Sequence, residues 1–305
     1  MTGGAGACDA LAAFDAYEAV RHRLPRACFP AKARRVADLG ELADEFDVFL
    51  LDAFGVLNIG NTPVAGAPER VACLQAAGKI VMLVSNAAGF PMRTLHRLWQ
   101  DLGYDLAPDD ILCSREVMLA ALAGRPKCKY GLLAIRRFGL EDLEDLTAEF
   151  LGDDRAAHDD AEAILCFSSA EWNDARQALL EASLARHPRP VLVANPDIVA
   201  PRENGLSRQI GDFAHRLADA TGIEPEFFGK PFGAIFEAAL GRLPRSIPKS
   251  RILMVGDTLQ TDILGGASAG LKTALVTGQG SLDGLAPQEM IARSGITPDY
   301  ILPAI

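Results

Sequence analysis

The chain has 305 residues and a formal charge of −10, a length that suits two domains and an acidic balance that argues against nucleic acid or an anionic membrane surface as partner. Apolar residues make up 49% and aromatics only 7%, which predicts helices laid on a sheet rather than a β-sandwich. Six cysteines (Cys8, Cys28, Cys73, Cys113, Cys128, Cys166) form no CxxC pair, so buried thiols in a reducing compartment are expected, not disulfides or zinc.

Residues 1–45 read as a helical N-terminal extension: Leu11, Phe14, Tyr17 and Val20 recur at helical spacing, and a second group runs from Val36 to Leu42. Asp9 and Asp15 interrupt the first segment, so no signal peptide is expected. No apolar run is long enough to span a bilayer, and a cytoplasmic protein without membrane contact is expected. From Asp47 the pattern changes. Residues 48–51 form a short apolar run ending at Asp52 and followed by Gly55, Gly60, Pro63 and Gly66, which predicts a buried strand entering a turn-rich loop. A helix over 67–77 ends where Gly78 can cap it, and residues 80–84 form a second buried strand ending at Ser85-Asn86. Helices follow at 92–102 and around 114–123. The middle alternates strands at 130–135, 163–167 and 191–194 with helical stretches at 141–150, 171–186 and 208–220. The last third holds a strand over 251–255 ending in Gly256-Asp257, a helix over 261–269, a strand over 273–276 and a tail.

This alternation predicts an α/β fold with a doubly wound parallel, Rossmann-like sheet, in which ligands bind outside the carboxyl ends of strands. Polar residues sit at three such ends: Asp52, Ser85-Asn86 and Gly256-Asp257. Two or three carboxylates brought together need a cation between them, and oxygen ligands without His or Cys point to magnesium. Ser85 and Asn86 offer neutral hydrogen bonds, and Lys230 a compact positive charge suited to a phosphoryl group. Taken singly, each aspartate could equally cap a helix and Lys230 could be a solvated surface residue. Together and in this order they favour one site.

At this point the chain resembles a family. Asp52-Ala53-Phe54-Gly55-Val56-Leu57, Ser85-Asn86, Gly229-Lys230-Pro231 and Gly256-Asp257-Thr258-Leu259-Gln260-Thr261-Asp262 look like the four ordered motifs of the haloacid dehalogenase superfamily. The run from Gly55 to Gly66-Ala67, and Ala194-Asn195-Pro196-Asp197, are similar to its class IIA subfamily of p-nitrophenyl, pyridoxal phosphate and ribonucleotide phosphatases. The resemblance implies a phosphatase-type hydrolase acting on a small phosphorylated metabolite. Asp52 would be the nucleophile, forming an aspartyl-phosphate, with Lys230 as its catalytic partner. Ser85, Asn86 and Lys230 would bind phosphate. Mg2+ would be held by Asp52, Asp257 and the backbone carbonyl of Phe54, with Asp262 behind them. Asn195 and Asp197 are candidate substrate contacts, as are Arg136, Arg137, Arg202 and Arg208. A homodimer is a candidate assembly.

Phe54 departs from the pattern. Phosphatases of the superfamily usually carry a second aspartate there as general acid and base, and losing such a group typically costs about 10²–10⁴ in rate. A metabolite-binding protein with weakened turnover is therefore an alternative. A dehalogenase is a lesser one, because the segment from Asp52 to Ser85 is too short for that enzyme's cap. The long insertion falls between Ser85 and Lys230, which places a cap domain at 126–206 and the core at 46–125 and 207–305.

Overall fold

The computed structural model describes residues 9–202 and 205–305; Cys8 lies outside them. Seven strands build the first sheet, in the spatial order Arg34–Arg35, Tyr300–Leu302, Lys272–Val276, Ile252–Gly256, Val48–Leu51, Ile80–Ser85 and Ile111–Cys113. All its pairings are parallel. A second sheet, also parallel throughout, takes the strands Glu226–Phe227, Val191–Val193, Ala163–Cys166, Lys129–Leu133 and Thr147–Phe150. The fold is thus the doubly wound α/β core with a second, inserted α/β sheet.

Strand geometry explains why the apolar runs are unbroken. Val48–Leu51 is buried on both faces, with Phe49 and Leu51 in one core cluster and Val48 and Leu50 in the other, as alternating side chains must be. The first cluster takes Val71, Leu74, Leu95 and Trp99 from helices Ala67–Ala76 and Met92–Asp101. The second takes Val117, Met118, Ile235 and Phe236 from helices Ser114–Leu122 and Gly233–Arg242, and continues into Leu132 and Leu165 of the second sheet. A hydrophobic core therefore runs from one sheet to the other.

Several elements differ from expectation. The stretch 141–150 is not helical. Leu143 and Leu146 supply helical spacing, but Asp142 has φ 68°, a left-handed conformation that interrupts a helix, and Thr147–Phe150 is an edge strand of alternating exposure. The Val36–Leu42 group reduces to one 3₁₀ turn, Leu39–Leu42. Leu11 is exposed, while Ala13, Phe14 and Tyr17 form the buried face of helix Ala10–Ala19. The tail folds into helix Pro287–Ser294 and a core strand. Helix Ile210–Thr221 packs on the second sheet through Ile210, Phe213 and Leu217, so residues grouped with that sheet continue past 206, to Phe227. Among the described residues, no helix is long and apolar enough to cross a membrane.

Candidate active site

Ile252–Gly256, Val48–Leu51 and Ile80–Ser85 are neighbours in the sheet, so the residues just past their ends converge. The Asp52 backbone N–H donates to the Val255 carbonyl at 2.9 Å. Lys230, only 1% exposed, places Nζ 2.5 Å from Asp52 Oδ1 and 2.7 Å from Asp262 Oδ1. Asp257 is held from both sides: Thr258 Oγ1 donates to Oδ1 at 2.9 Å, and the Ser281 N–H donates to Oδ2 at 2.6 Å. A π-turn, Leu259–Ile263, brings Asp262 back over the strand end, where its Oδ2 accepts the Thr258 N–H at 3.1 Å. Glycine is required below it, because a Cβ on Gly256 would lie 2.0 Å from Asp262 Cγ. Gly55 (φ +85°) has the same function against Asp257, where a Cβ would lie 2.3 Å from Oδ2.

The carboxylate oxygens of Asp52, Asp257 and Asp262 lie within 4.8 Å of one another. Burial, and then repulsion from Asp262, holds the Asp52 carboxyl well above the usual range. The same causes push Asp257 up to about 7. Burial works against the charge of Lys230, but Asp262 and Asp52 outweigh it and raise its pKa. Three buried acids facing one ammonium are short of positive charge, which a divalent cation supplies. The donors are all oxygen, a set that fits magnesium or calcium and not zinc.

Asn86 joins this floor to the far wall. Its Oδ1 accepts the Lys230 N–H at 2.7 Å, and its Nδ2 donates to Asp197 Oδ1 at 2.8 Å and to the Lys230 carbonyl at 3.0 Å. Asp197 in turn donates its N–H to Asn195 Oδ1 at 2.8 Å. Burial lifts the Asp197 carboxyl to about 7 against the opposing pull of Lys230 and Asn86. A cavity of about 440 Å³ opens over these groups. Asp52, Ser85, Asn86 and Asp257 line its floor; Asn195, Asp197 and the hairpin Val199–Arg202/Gly205–Arg208 line the opposite wall. Lys230 and Asp262 sit behind the floor.

Of the candidate arginines, Arg137, Arg202 and Arg208 reach the cavity. Arg202 lies 4.9 Å over the ring of Phe54, and Arg208 is paired with Asp212 and stacked on Phe213. Arg136 does not reach it: the side chain donates to the Phe150 and Leu151 carbonyls and covers the Phe150 ring. Ser281 and the hairpin went unseen in the sequence. Ser281 lies in the segment read as a tail, and each hairpin strand is only four residues long.

Residues 49–146 match the family described as haloacid dehalogenase-like hydrolase, and residues 227–305 a second one described as HAD-hydrolase-like. The chain belongs to the haloacid dehalogenase-like hydrolases. Within them it groups with phosphatases. It is similar to a D-glycerol 3-phosphate phosphatase of Mycobacterium tuberculosis, at 29% identity over 85% of this chain and 70% of the relative. Chronophin of Bos taurus is also 29% identical, over 89% of this chain and 95% of its own. A possible sugar phosphatase from Cytophaga hutchinsonii superposes with a TM-score of 0.78 at 25% identity, covering 89% of this chain and 98% of that one. A glycerol phosphate phosphatase from Mycobacterium tuberculosis, solved with magnesium, superposes at 0.66 with 25% identity over 85% and 75% of the two chains.

Proposed function

We propose that this enzyme is a magnesium-dependent phosphatase that hydrolyses a small phosphorylated metabolite through an aspartyl-phosphate on Asp52. The observation that supports this is the cluster of Asp52, Asp257 and Asp262 around one buried ammonium at the floor of the cavity. Asp52, Asp257 and the Phe54 carbonyl would hold the ion, with Asp262 behind them. When bound, the ion supplies positive charge to a transferring phosphoryl group. A carboxylate oxygen of Asp52 attacks phosphorus, and the bond to the leaving oxygen breaks with its electron pair, so that oxygen needs a proton. Water then attacks the phosphorus, phosphate departs and Asp52 is regenerated. Ser85 and Lys230 hold the phosphoryl oxygens, and Asn86 braces Lys230.

Phe54 cannot deliver the proton. Asp197 is the one carboxyl lining the cavity outside the metal cluster, among the described residues, and we assign it as the acid. Its pKa, near 7, suits an acid working at neutral pH. The second sheet and the hairpin act as the cap, excluding water over the site.

The test is hydrolysis of p-nitrophenyl phosphate by the purified chain. Activity is expected to require magnesium, to stop with chelator and to fall at least about 10³-fold in Asp52→Asn. Activity retained in Asp52→Asn would overturn the nucleophile. Tight vanadate or metabolite binding with no turnover would favour the binding-protein reading.

A further inference from the structure

The N-terminal helix, Ala10–Ala19, is not part of either sheet, yet it touches both walls of the cavity. On one face Ala13, Tyr17 and Val20 pack against Ile198, Val199 and Leu206, the back of the hairpin wall. Tyr17 is 4% exposed, and its hydroxyl oxygen accepts the N–H of Ile198 at 3.1 Å. Ile198 sits between Asp197 and Val199, both of which line the cavity. On the adjoining flank Phe14 packs against Leu259 and Ile263 of the turn that carries Asp262. Glu18 Oε1 accepts from Gln260 Nε2 of the same turn at 2.7 Å. Arg293 pairs with Asp15 at 2.5 Å and covers the Phe14 ring. Just beyond the helix, Arg23 reaches Asp219 at 2.8 Å and Glu224 at 3.1 Å, after crossing to the inserted half.

A two-stranded ribbon such as the hairpin is marginal by itself and needs a surface to lean on. Here that surface is a helix whose adjoining flank is bolted to the metal-side turn. We propose that the N-terminal helix is a strap that sets the distance between the hairpin wall and the metal-side turn, with Tyr17 as the positioning residue for the Asp197–Val199 segment. This rests on the phosphatase reading only for its kinetic consequence. Without the strap the hairpin would still form part of the cap, but Asp197 and the substrate-facing residues would sample several positions. Ground-state contacts to substrate would then weaken while Asp52 and the metal cluster stayed in place.

The experiment uses the full chain and two variants. Tyr17→Phe keeps the ring and removes the hydroxyl acceptor; Tyr17→Ala removes both. Hydrogen exchange is read at the backbone amides of 197–200 and 202, and KM and kcat are read separately with p-nitrophenyl phosphate. In Tyr17→Phe the Ile198 amide is expected to exchange about fivefold faster, the equivalent of one lost hydrogen bond. KM is expected to rise severalfold with kcat within about twofold, and Tyr17→Ala should extend both effects if it folds. A helix that only stabilises the fold would lower the melting temperature and leave both local readouts unchanged; that result in Tyr17→Phe overturns the proposal. If the wild-type chain proves inactive, the phosphatase reading fails, while the exchange measurement still decides the strap.

Discussion

The floor and the far wall of the cavity are built differently. On the floor, Lys230 contacts two carboxylates, Asp257 accepts two hydrogen bonds and the Asn86 side chain makes three. Asp52, Asn86 and Asp257 stand just past the ends of parallel strands, where the backbone ladder fixes each position before any side chain is chosen. The far wall is a short hairpin that leans on a helix and reaches an arginine over the Phe54 ring. The difference separates two tasks. Phosphoryl transfer needs the same donors whatever the leaving group, so it belongs on a rigid sheet. Recognition of that group can be carried by a loop wall that varies.

The sharpest way to break this contrast is to remove the ammonium from the floor. Lys230→Met removes the ammonium from Asp52 and Asp262, and loss of one member of a buried charge cluster costs about 3–5 kcal/mol. The urea midpoint without magnesium should fall by the corresponding amount, and magnesium should restore much of it by binding only the folded chain. Vanadate affinity should fall while magnesium affinity holds or tightens. An unchanged midpoint in metal-free buffer would mean the floor is not organised around Lys230.

A smaller effect is expected at the far wall. Asp197→Asn keeps an oxygen for the Asn86 bond but cannot donate a proton as an acid. Turnover of an alkyl phosphate should fall about 10²-fold, and that of p-nitrophenyl phosphate little, because nitrophenolate leaves without help. The sign with pH follows from the raised pKa. The acid form persists up to about 7, so alkyl ester turnover should decline as pH rises through that value. That limb should be absent in Asp197→Asn. For stability, a folded-state pKa above the ordinary carboxyl value means that ionising Asp197 disfavours the fold as pH rises from about 4 to 7, and the asparagine removes that loss. Equal loss on both esters would make Asp197 a brace for Asn86 and not an acid.

What could be read in the sequence follows the same division. Asp52, Ser85, Asn86 and Asp257 were legible because each ends an apolar run, and a buried parallel strand writes itself as such a run. Lys230 and Asp262 end no run of that kind; the sequence offers them only as a compact positive charge and one more acid, and only the fold shows them meeting at 2.7 Å. Ser281 was not legible, since it follows no apolar run, and only the fold brings its N–H to the Asp257 carboxylate and its hydroxyl to the Asp257 carbonyl. The strand Thr147–Phe150 was hidden because two leucines mimic helical spacing just ahead of it, and an aspartate, which tolerates the left-handed backbone seen at Asp142, is too common in helices to mark the break. Tyr17 looked like one more apolar position on a helix. Its hydroxyl matters only because Ile198 arrives from 181 positions away.

The smallest expected effect lies where the two walls meet, at Phe54. Placing a carboxylate there looks like a repair of the missing acid. The structure argues that the repair alone gains little. The Arg202 guanidinium lies 4.9 Å over the ring, and a carboxylate in its place would pair with that charge. An adjacent arginine lowers a carboxyl pKa, so the new group would be ionised when a proton has to be donated. Phe54→Asp should therefore change alkyl phosphate turnover by less than about tenfold. Adding Arg202→Leu should release the carboxylate and raise the rate above that of the single variant, with magnesium binding unchanged in both. Were the single variant to gain as much as the double, Arg202 would not stand over position 54 in the working enzyme. If neither gains while both stay folded and magnesium-bound, proton donation at that position is not limiting. The far wall then already supplies the proton, as Asp197 is placed to do.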